Sequence, residues 1–234
     1  MTDRTGQVAL VTGGSQGVGR ATVAALARRG LHVAAIAAAA GPEAGEILPV
    51  AADVASEAAV QAAVAETLDR FGRLDVVINC AGVSMNARRR LEDTSTDEWR
   101  RLVDTNLTGV YLVCRTVLPH LKDRGGYLIN VLGGGAADFT VGAGSSLYTA
   151  TKFAVRALSE ALVAEFRNSA VRTSWVSPGQ TDTSIWDHKL APPSAEARSL
   201  MLRPEDVADV FLWLLDRPSH LHVPSIRLTP WTGI

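Results

Sequence analysis

Tyr148 and Lys152 stand four residues apart in Tyr148-Thr149-Ala150-Thr151-Lys152, so on a helix they share one face. A free tyrosine titrates near ~10 and is a poor base at neutrality. An ammonium beside it favours the phenolate and draws its titration toward working pH. The pair therefore reads as a candidate for acid/base work. A second cluster is Thr12-Gly13-Gly14-Ser15-Gln16-Gly17-Val18-Gly19. Its glycines permit a tight turn and let backbone amides approach a pyrophosphate at a helix N-terminus, where the dipole favours negative charge.

The elements that must position these residues alternate between β and helical patterns. Val8–Thr12 reads as a strand, and Gly17–Arg29 as a helix. Strands follow at His32–Ala37 and near Ile47–Val50. Ser56 caps a helix to about Arg70, and Gly72 stops it. Val76–Asn79 is an apolar strand of the kind covered on both faces. Ser95 and Glu98, at capping-box spacing, open one long helix with Trp99, Leu102, Val103, Leu107, Val110, Val113, Val117 and Leu121 on a broad face. Then come a strand at Tyr127–Val131, a Gly-rich loop, a helix from Ser146 to Asn168 and a strand at Val171–Val176. A helix starting at Pro204 and a last strand at Ile226–Leu228 complete the chain. Such alternation predicts a single α/β domain over residues 1–234, a doubly wound parallel sheet with helices on both faces.

Composition narrows the function further. The 234 residues carry 23 Lys plus Arg against 24 Asp plus Glu, a net charge of −1. Binding nucleic acid through bulk charge needs a basic surplus, so no nucleic-acid partner is expected. Neither the polar N-terminus nor the apolar stretch Leu31–Ala40 is long enough to act as an anchor, which predicts a cytoplasmic protein with no membrane partner. Cys80 and Cys114 lack metal-ligand spacing and read as two buried thiols. His32, His120, His220 and His222 lack it too, so no metal is expected. Arg88-Arg89-Arg90 reads as a solvated surface run.

The TGxxxGxG spacing of the glycine turn resembles the short-chain dehydrogenase/reductase family, and further motifs extend the resemblance along the chain. Asn79-Cys80-Ala81-Gly82 is similar to the family's NNAG segment. Asn106 matches its helix asparagine, Tyr148 to Lys152 its YxxxK, and Pro178-Gly179 with Thr183 its PGxxxT. The resemblance implies a Rossmann-type fold that binds NAD or NADP. It also implies a small-molecule carbonyl or alcohol substrate, with Tyr148 as acid/base. Lys152 would hold the nicotinamide ribose, and Asn106 would support a proton-relaying water. The implied cofactor contacts are Gly13, Ser15, Gln16, Gly17, Val18, Asp53, Val54, Asn79, Ala81, Gly82, Tyr148, Lys152, Pro178, Gly179, Thr181 and Thr183. A lid-like substrate loop is implied at about 183–203, with Trp186 and His188 as candidate substrate contacts. Pairing into a homodimer or homotetramer through the helices around Thr105–Leu121 and Phe153–Phe166 is implied as well.

Two departures stand against the pattern. In Asn130-Val131-Leu132-Gly133-Gly134-Gly135, Gly133 (or Gly135, counting back from Tyr148) stands where the family places a catalytic serine. Losing one such donor costs about 2.7–4 kcal/mol of transition-state stabilisation in a comparable oxyanion setting. Ser145 and Ser146 lie close in sequence to Tyr148 but at or before the helix start. The second strand ends in Ala37-Ala38, with neither the acidic residue that selects NAD nor the basic one that selects NADP. Only Ala39 to Glu46 separates the second and third strands, too short for the usual helix. The segment His222 to Pro230 resembles the ending of a subgroup of that family that often uses NADP, which implies NADP.

The expected activity is thus an NAD(P)(H)-dependent interconversion of a carbonyl and an alcohol. The alternative is a non-redox isomerase, cyclase or dehydratase that uses Tyr148 in a pocket enlarged at Gly133, Gly134 and Gly135.

Overall fold

Along β1 (Val8–Thr12) the side chains alternate, Val8 and Leu10 into one apolar layer and Ala9 and Val11 into the other. A period of two with both faces buried places this strand inside a sheet covered on each side. The computed structural model, which describes residues 4–38, 46–133, 135–139 and 141–231, contains that sheet. Its seven strands are β1, β2 (His32–Ala37), β3 (Ile47–Ala51), β4 (Val76–Asn79), β5 (Gly126–Val131), β6 (Val171–Pro178) and β7 (Ser225–Leu228). They lie in the order β3-β2-β1-β4-β5-β6-β7, every pair parallel. The doubly wound expectation is met.

Helices α2 (Glu57–Phe71), α4 (Gly109–Arg124) and α5 (Ser146–Glu165) cover one face, burying Val60, Val64, Val113, Val117, Val155 and Leu162. Helices α1 (Gly17–Arg28) and α6 (Pro204–Leu215) cover the other with Val23, Leu26, Val207, Phe211 and Leu214. The chain runs outward from β1 to β2 and β3, then returns to β4 beside β1 and continues the other way. That reversal opens a crevice at the strands' C-terminal ends, where α/β sheets bind ligands.

Several boundaries differ from the sequence reading. The long helix predicted from Ser95 is broken into α3 (Thr96–Val103), a wide π-type turn at Asp104–Thr108, and α4. Asn106 sits in the wide turn and is fully buried. The extra residue there rotates the faces out of phase, so Trp99 lies 44% exposed instead of joining the broad apolar face. Ser95 accepts from the Glu98 amide at 3.1 Å, but the Glu98 carboxylate accepts from Arg89 at 3.1 Å, so the box is one-sided. Helix α5 stops at Glu165, short of the predicted Asn168, which takes a left-handed φ of 64°. The predicted shortening between β2 and β3 falls on residues 39–45, and the expectation for Gly134 falls on that residue; both lie outside the described residues. No helix among the described residues is long and apolar enough to cross a membrane.

Candidate active site

The glycine turn leaves β1 and enters α1 under close constraint. A Cβ on Gly13, whose φ is +69°, would stand 2.9 Å from the Ala81 backbone. Only glycine fits there, and the close approach brings the loop after β4 against the turn. Thr12 Oγ1 reinforces the junction by accepting from the Ala81 amide at 3.1 Å. Gln16 precedes α1 without a side-chain cap, and the first turn carries no acidic residue. The helix thus presents uncapped amides and the positive end of its dipole, as a pyrophosphate requires. Gly13, Ser15, Gln16, Gly17 and Val18 all line the same cleft, of about 2080 Å³.

Most other expected nucleotide contacts also line it. Asp53, Val54, Ala81, Gly82, Pro178, Gly179, Thr181 and Thr183 stand along its wall. Asp53 is exposed and accepts from the Ala55 amide at 2.9 Å. Val54 is buried, and a Cβ on Gly109 would lie only 2.9 Å from it, which fixes this strand-end loop on α4. Asn79 departs from the expectation. Its side chain is 2% exposed beneath the cleft and donates to Asn130 Oδ1 at 2.9 Å and to the Cys114 sulfur at 3.5 Å. It braces β4 against β5 and makes no wall of the cleft, because β4 is interior and that face of the strand is covered by α4. At the end of β2, Ala37 and Ala38 line the cleft and supply no charge.

At the inner end, α5 brings Tyr148 and Lys152 to the cleft one turn apart, with the ammonium 5.9 Å from the phenol ring centroid. Lys152 is 5% exposed and donates to the Val131 carbonyl at 3.2 Å. Burial pulls the Lys152 ammonium down to about 8, with Cys80 opposing weakly. The effect on Tyr148 is opposite to the one predicted from spacing. Burial pushes its phenol up to about 12, and the Lys152 ammonium lies over the phenol ring. A Cβ on Gly133, φ +137°, would stand 3.1 Å from the Tyr148 hydroxyl. Ser145 is turned away, donating to the Gly142 carbonyl at 2.6 Å and bonded to Thr149 Oγ1 at 3.0 Å.

Asn106 directs its amide at the loop after β4 rather than at Lys152. Its Oδ1 accepts from the Val83 amide at 2.8 Å, while its Nδ2 donates to the Val83 carbonyl at 2.9 Å and to Thr151 Oγ1 at 3.1 Å. It therefore clamps that loop onto α5.

The outer rim contains residues that the sequence reading passed over. Arg88 and Arg89 line the cleft, together with Arg101 and Lys189. Arg89 pairs with Glu98 and donates its backbone amide to the Gly144 carbonyl, so Arg88 and Arg89 form part of the wall, while Arg90 is solvated as expected. The run itself was the only available signal. Trp186 and His188 line the cleft as expected. Trp186 donates its indole N–H to the Thr181 carbonyl at 2.9 Å. The 183–203 segment is anchored across the opening. Lys189 donates to Ser84 Oγ at 2.8 Å and to the Met85 carbonyl, and the Leu190 amide donates to the Asn86 carbonyl at 2.9 Å. Arg198 ties the segment's two ends through Asp182 and Asp187.

Both cysteines are free thiols. Cys114 is buried as expected, whereas Cys80 is only partly so and lines the cleft near Lys152. Among the described residues no group of three or more His, Cys, Asp or Glu is placed to hold a metal ion.

These elements recur in known proteins. Residues 7–193 match the model of the short chain dehydrogenase family. An uncharacterized oxidoreductase of Staphylococcus haemolyticus is 31% identical over 98% of this chain and 100% of its own length. L-fucose dehydrogenase of Mus musculus is 36% identical over 86% of this chain and 75% of its own length. Among solved structures, 3-ketoacyl-(acyl-carrier-protein) reductase from Brucella melitensis, complexed with NADH, superposes with a TM-score of 0.85. It is 28% identical and covers 96% of both chains. With its parallel seven-stranded sheet, its glycine turn and a family match over four-fifths of its length, this chain is an oxidoreductase belonging to the short chain dehydrogenase family.

Proposed function

We propose that the chain interconverts a carbonyl and an alcohol with a nicotinamide dinucleotide, Tyr148 acting as the acid or base. One observation carries the reading: a single cleft joins the uncapped N-terminus of α1 to the Tyr148 hydroxyl and the buried Lys152. A cradle that a Cβ on Gly13 would fill fits a dinucleotide. Gly13, Ser15, Gly17 and Val18 would take its pyrophosphate, Asp53 and Val54 its adenine end, and Ala81, Gly82, Pro178, Gly179, Thr181 and Thr183 its nicotinamide half. Bound there, the dinucleotide supplies or accepts the hydride.

Tyr148, a neutral phenol at pH 7, donates its proton to the carbonyl oxygen during reduction. Lys152 places a positive charge at the cleft and favours the phenolate that proton donation leaves. Gly133 occupies the position facing the phenol hydroxyl, so the oxygen-binding donor expected from a serine is missing there. The neutral wall at Ala37 and Ala38 gives the adenosine ribose no charged partner among the described residues. A preference for NADP over NAD therefore rests on the form of β7 and is expected to be small. Pairing into a dimer or tetramer through α4 and α5 is supported by the exposed Tyr111 on α4.

Titrating NADPH and NADH separately, followed by tryptophan fluorescence, tests the reading; no saturable binding of either up to millimolar concentration would overturn it. If one binds, Tyr148→Phe should lower hydride transfer about 10²–10⁴-fold while the dinucleotide dissociation constant changes little. Non-redox isomerisation, cyclisation or dehydration is a second reading. The bare Gly133 beside Tyr148 favours it, because a bulky substrate could reach the phenol there.

A further inference from the structure

The outer end of the cleft concentrates positive charge in a protein whose net charge is −1. Arg88, Arg89, Arg101 and Lys189 line it against the carboxylates of Asp97 and Glu98. Glu98 is committed to Arg89, and Asp97 faces Arg100 at 3.6 Å. Arg88, Arg101 and Lys189 therefore make no ion pair among the described residues. Arg101 donates only to the Ser84 carbonyl at 2.9 Å, and Lys189 to Ser84 Oγ and the Met85 carbonyl. The Arg88 guanidinium lies beside Gly142, where an added Cβ would stand 3.6 Å from it.

The three cations share one field. The Lys189 ammonium is depressed first by burial and then by Arg88 and Arg101, with Glu98 opposing. Like charges gathered this closely repel, and an anion entering between them relieves that repulsion. Arg88 also packs against the loop that leads into the helix of Tyr148, and both residues line the same cleft. A Cβ on Gly144 would touch the Arg88 Cβ at 3.0 Å, and Gly144 precedes Ser145, the residue before α5. Tyr148 is the third residue of that helix.

We infer that Arg88, Arg101 and Lys189 bind an anionic group, a carboxylate or phosphate, on the far end of the substrate whose oxygen meets Tyr148. The proposal rests on the oxidoreductase reading only for the carbonyl or alcohol at the other end. The substrate class is then an oxo acid, a hydroxy acid or a phosphorylated ketone. Arginine's planar fork suits either anion in a bidentate manner.

Calorimetric titration of the full chain with matched pairs tests this without requiring turnover. The pairs are straight-chain oxo acids of four to eight carbons against their methyl esters, and dihydroxyacetone phosphate against dihydroxyacetone. At low salt at least one charged member should bind about tenfold tighter than its neutral counterpart, equivalent to about 1.4 kcal/mol. Which pair shows the advantage distinguishes carboxylate from phosphate. That advantage should fall below about threefold in Arg88→Ala, return only in part in Arg88→Lys, which keeps the charge without the fork, and shrink as salt rises. The inference is overturned if no charged member outbinds its partner. It is equally overturned if the advantage persists in the Arg88→Ala/Arg101→Ala double variant. NADPH and NADH titrated alongside report on the redox reading separately: charge selectivity without dinucleotide binding overturns that reading alone.

Discussion

The Tyr148 hydroxyl faces the bare backbone of Gly133 so closely that a Cβ placed there would stand 3.1 Å from the phenol oxygen. The φ of Gly133 is +137°, a conformation that L side chains rarely adopt. Restoring a serine hydroxyl is therefore not a simple gain of one donor. Gly133→Ser should cost about 1–3 kcal/mol of stability from backbone strain and push the phenol aside. The expected outcome is a lower unfolding midpoint with no increase in turnover of a generic ketone. A faster enzyme of unchanged stability would show that the loop relaxes and that the serine position was simply vacant.

The elevated phenol and the depressed ammonium predict opposite behaviour in the two reaction directions. Reduction needs protonated Tyr148, and with its titration pushed up to about 12 it stays protonated through neutrality. Oxidation needs the phenolate, whose fraction grows with each step in pH below that value. Initial oxidation rates should therefore rise about tenfold per pH unit across the slightly alkaline range, while reduction stays nearly flat. An oxidation rate that levels off near neutrality would mean that the bound state draws the phenol far below its value here.

Lys152 should be destabilising in the protein without ligands. Its charge is buried, and its titration lies at about 8, against 10.5 in the unfolded chain. Below pH 8 both states hold the proton and the full desolvation penalty applies. Between 8 and 10.5 the unfolded chain binds more protons, so wild-type stability gains with rising pH from this group. Lys152→Met should thus raise stability at pH 7 by about 1–3 kcal/mol, part of the gain being lost with the bond to Val131. That advantage should fade toward pH 10.5 and come with loss of activity. Denaturant midpoints of both proteins at pH 7 and 10 decide the matter; a variant less stable at pH 7 would contradict it.

Asn106 should matter more for stability than for proton movement. Its amide satisfies both backbone groups of Val83, and it is fully buried. Asn106→Ala would leave an N–H and a C=O without partners, at a cost of about 1–3 kcal/mol each. The expected result is a marked fall in the unfolding midpoint, with the amide of Val83 losing its protection from hydrogen exchange. Unchanged protection would show that the loop after β4 is held by other contacts.

Much of the fold was legible because strands buried on both faces carry continuous apolar runs, as in Val76–Asn79, and because Ser56 and Gly72 mark their helix at both ends. The break at Asn106 was not legible. Its cause is a bond to Val83, 23 residues earlier in the chain, and a periodicity count sees only near neighbours. Site residues brought by motif spacing mostly reached the cleft. Asn79 did not, since spacing locates a strand end but does not say which face its side chain takes. Tyr148 shows the same limit in electrostatics. Sequence places a lysine nearby, but burial decides which influence on the phenol wins.

The amide of Asn79 donates to Asn130, which donates at 3.0 Å to Ser159 on α5, whose hydroxyl donates at 2.7 Å to the Val155 carbonyl. Three buried polar side chains thus link β4, β5 and the helix that carries Tyr148. Apolar packing tolerates sliding, whereas a chain of directional bonds tolerates almost none: slipping β5 by one residue would turn Asn130 to the opposite face and strand both its neighbours. The polar thread therefore works as a key for strand alignment, and α5 inherits its vertical setting over the sheet from a lock that lies outside the cleft altogether.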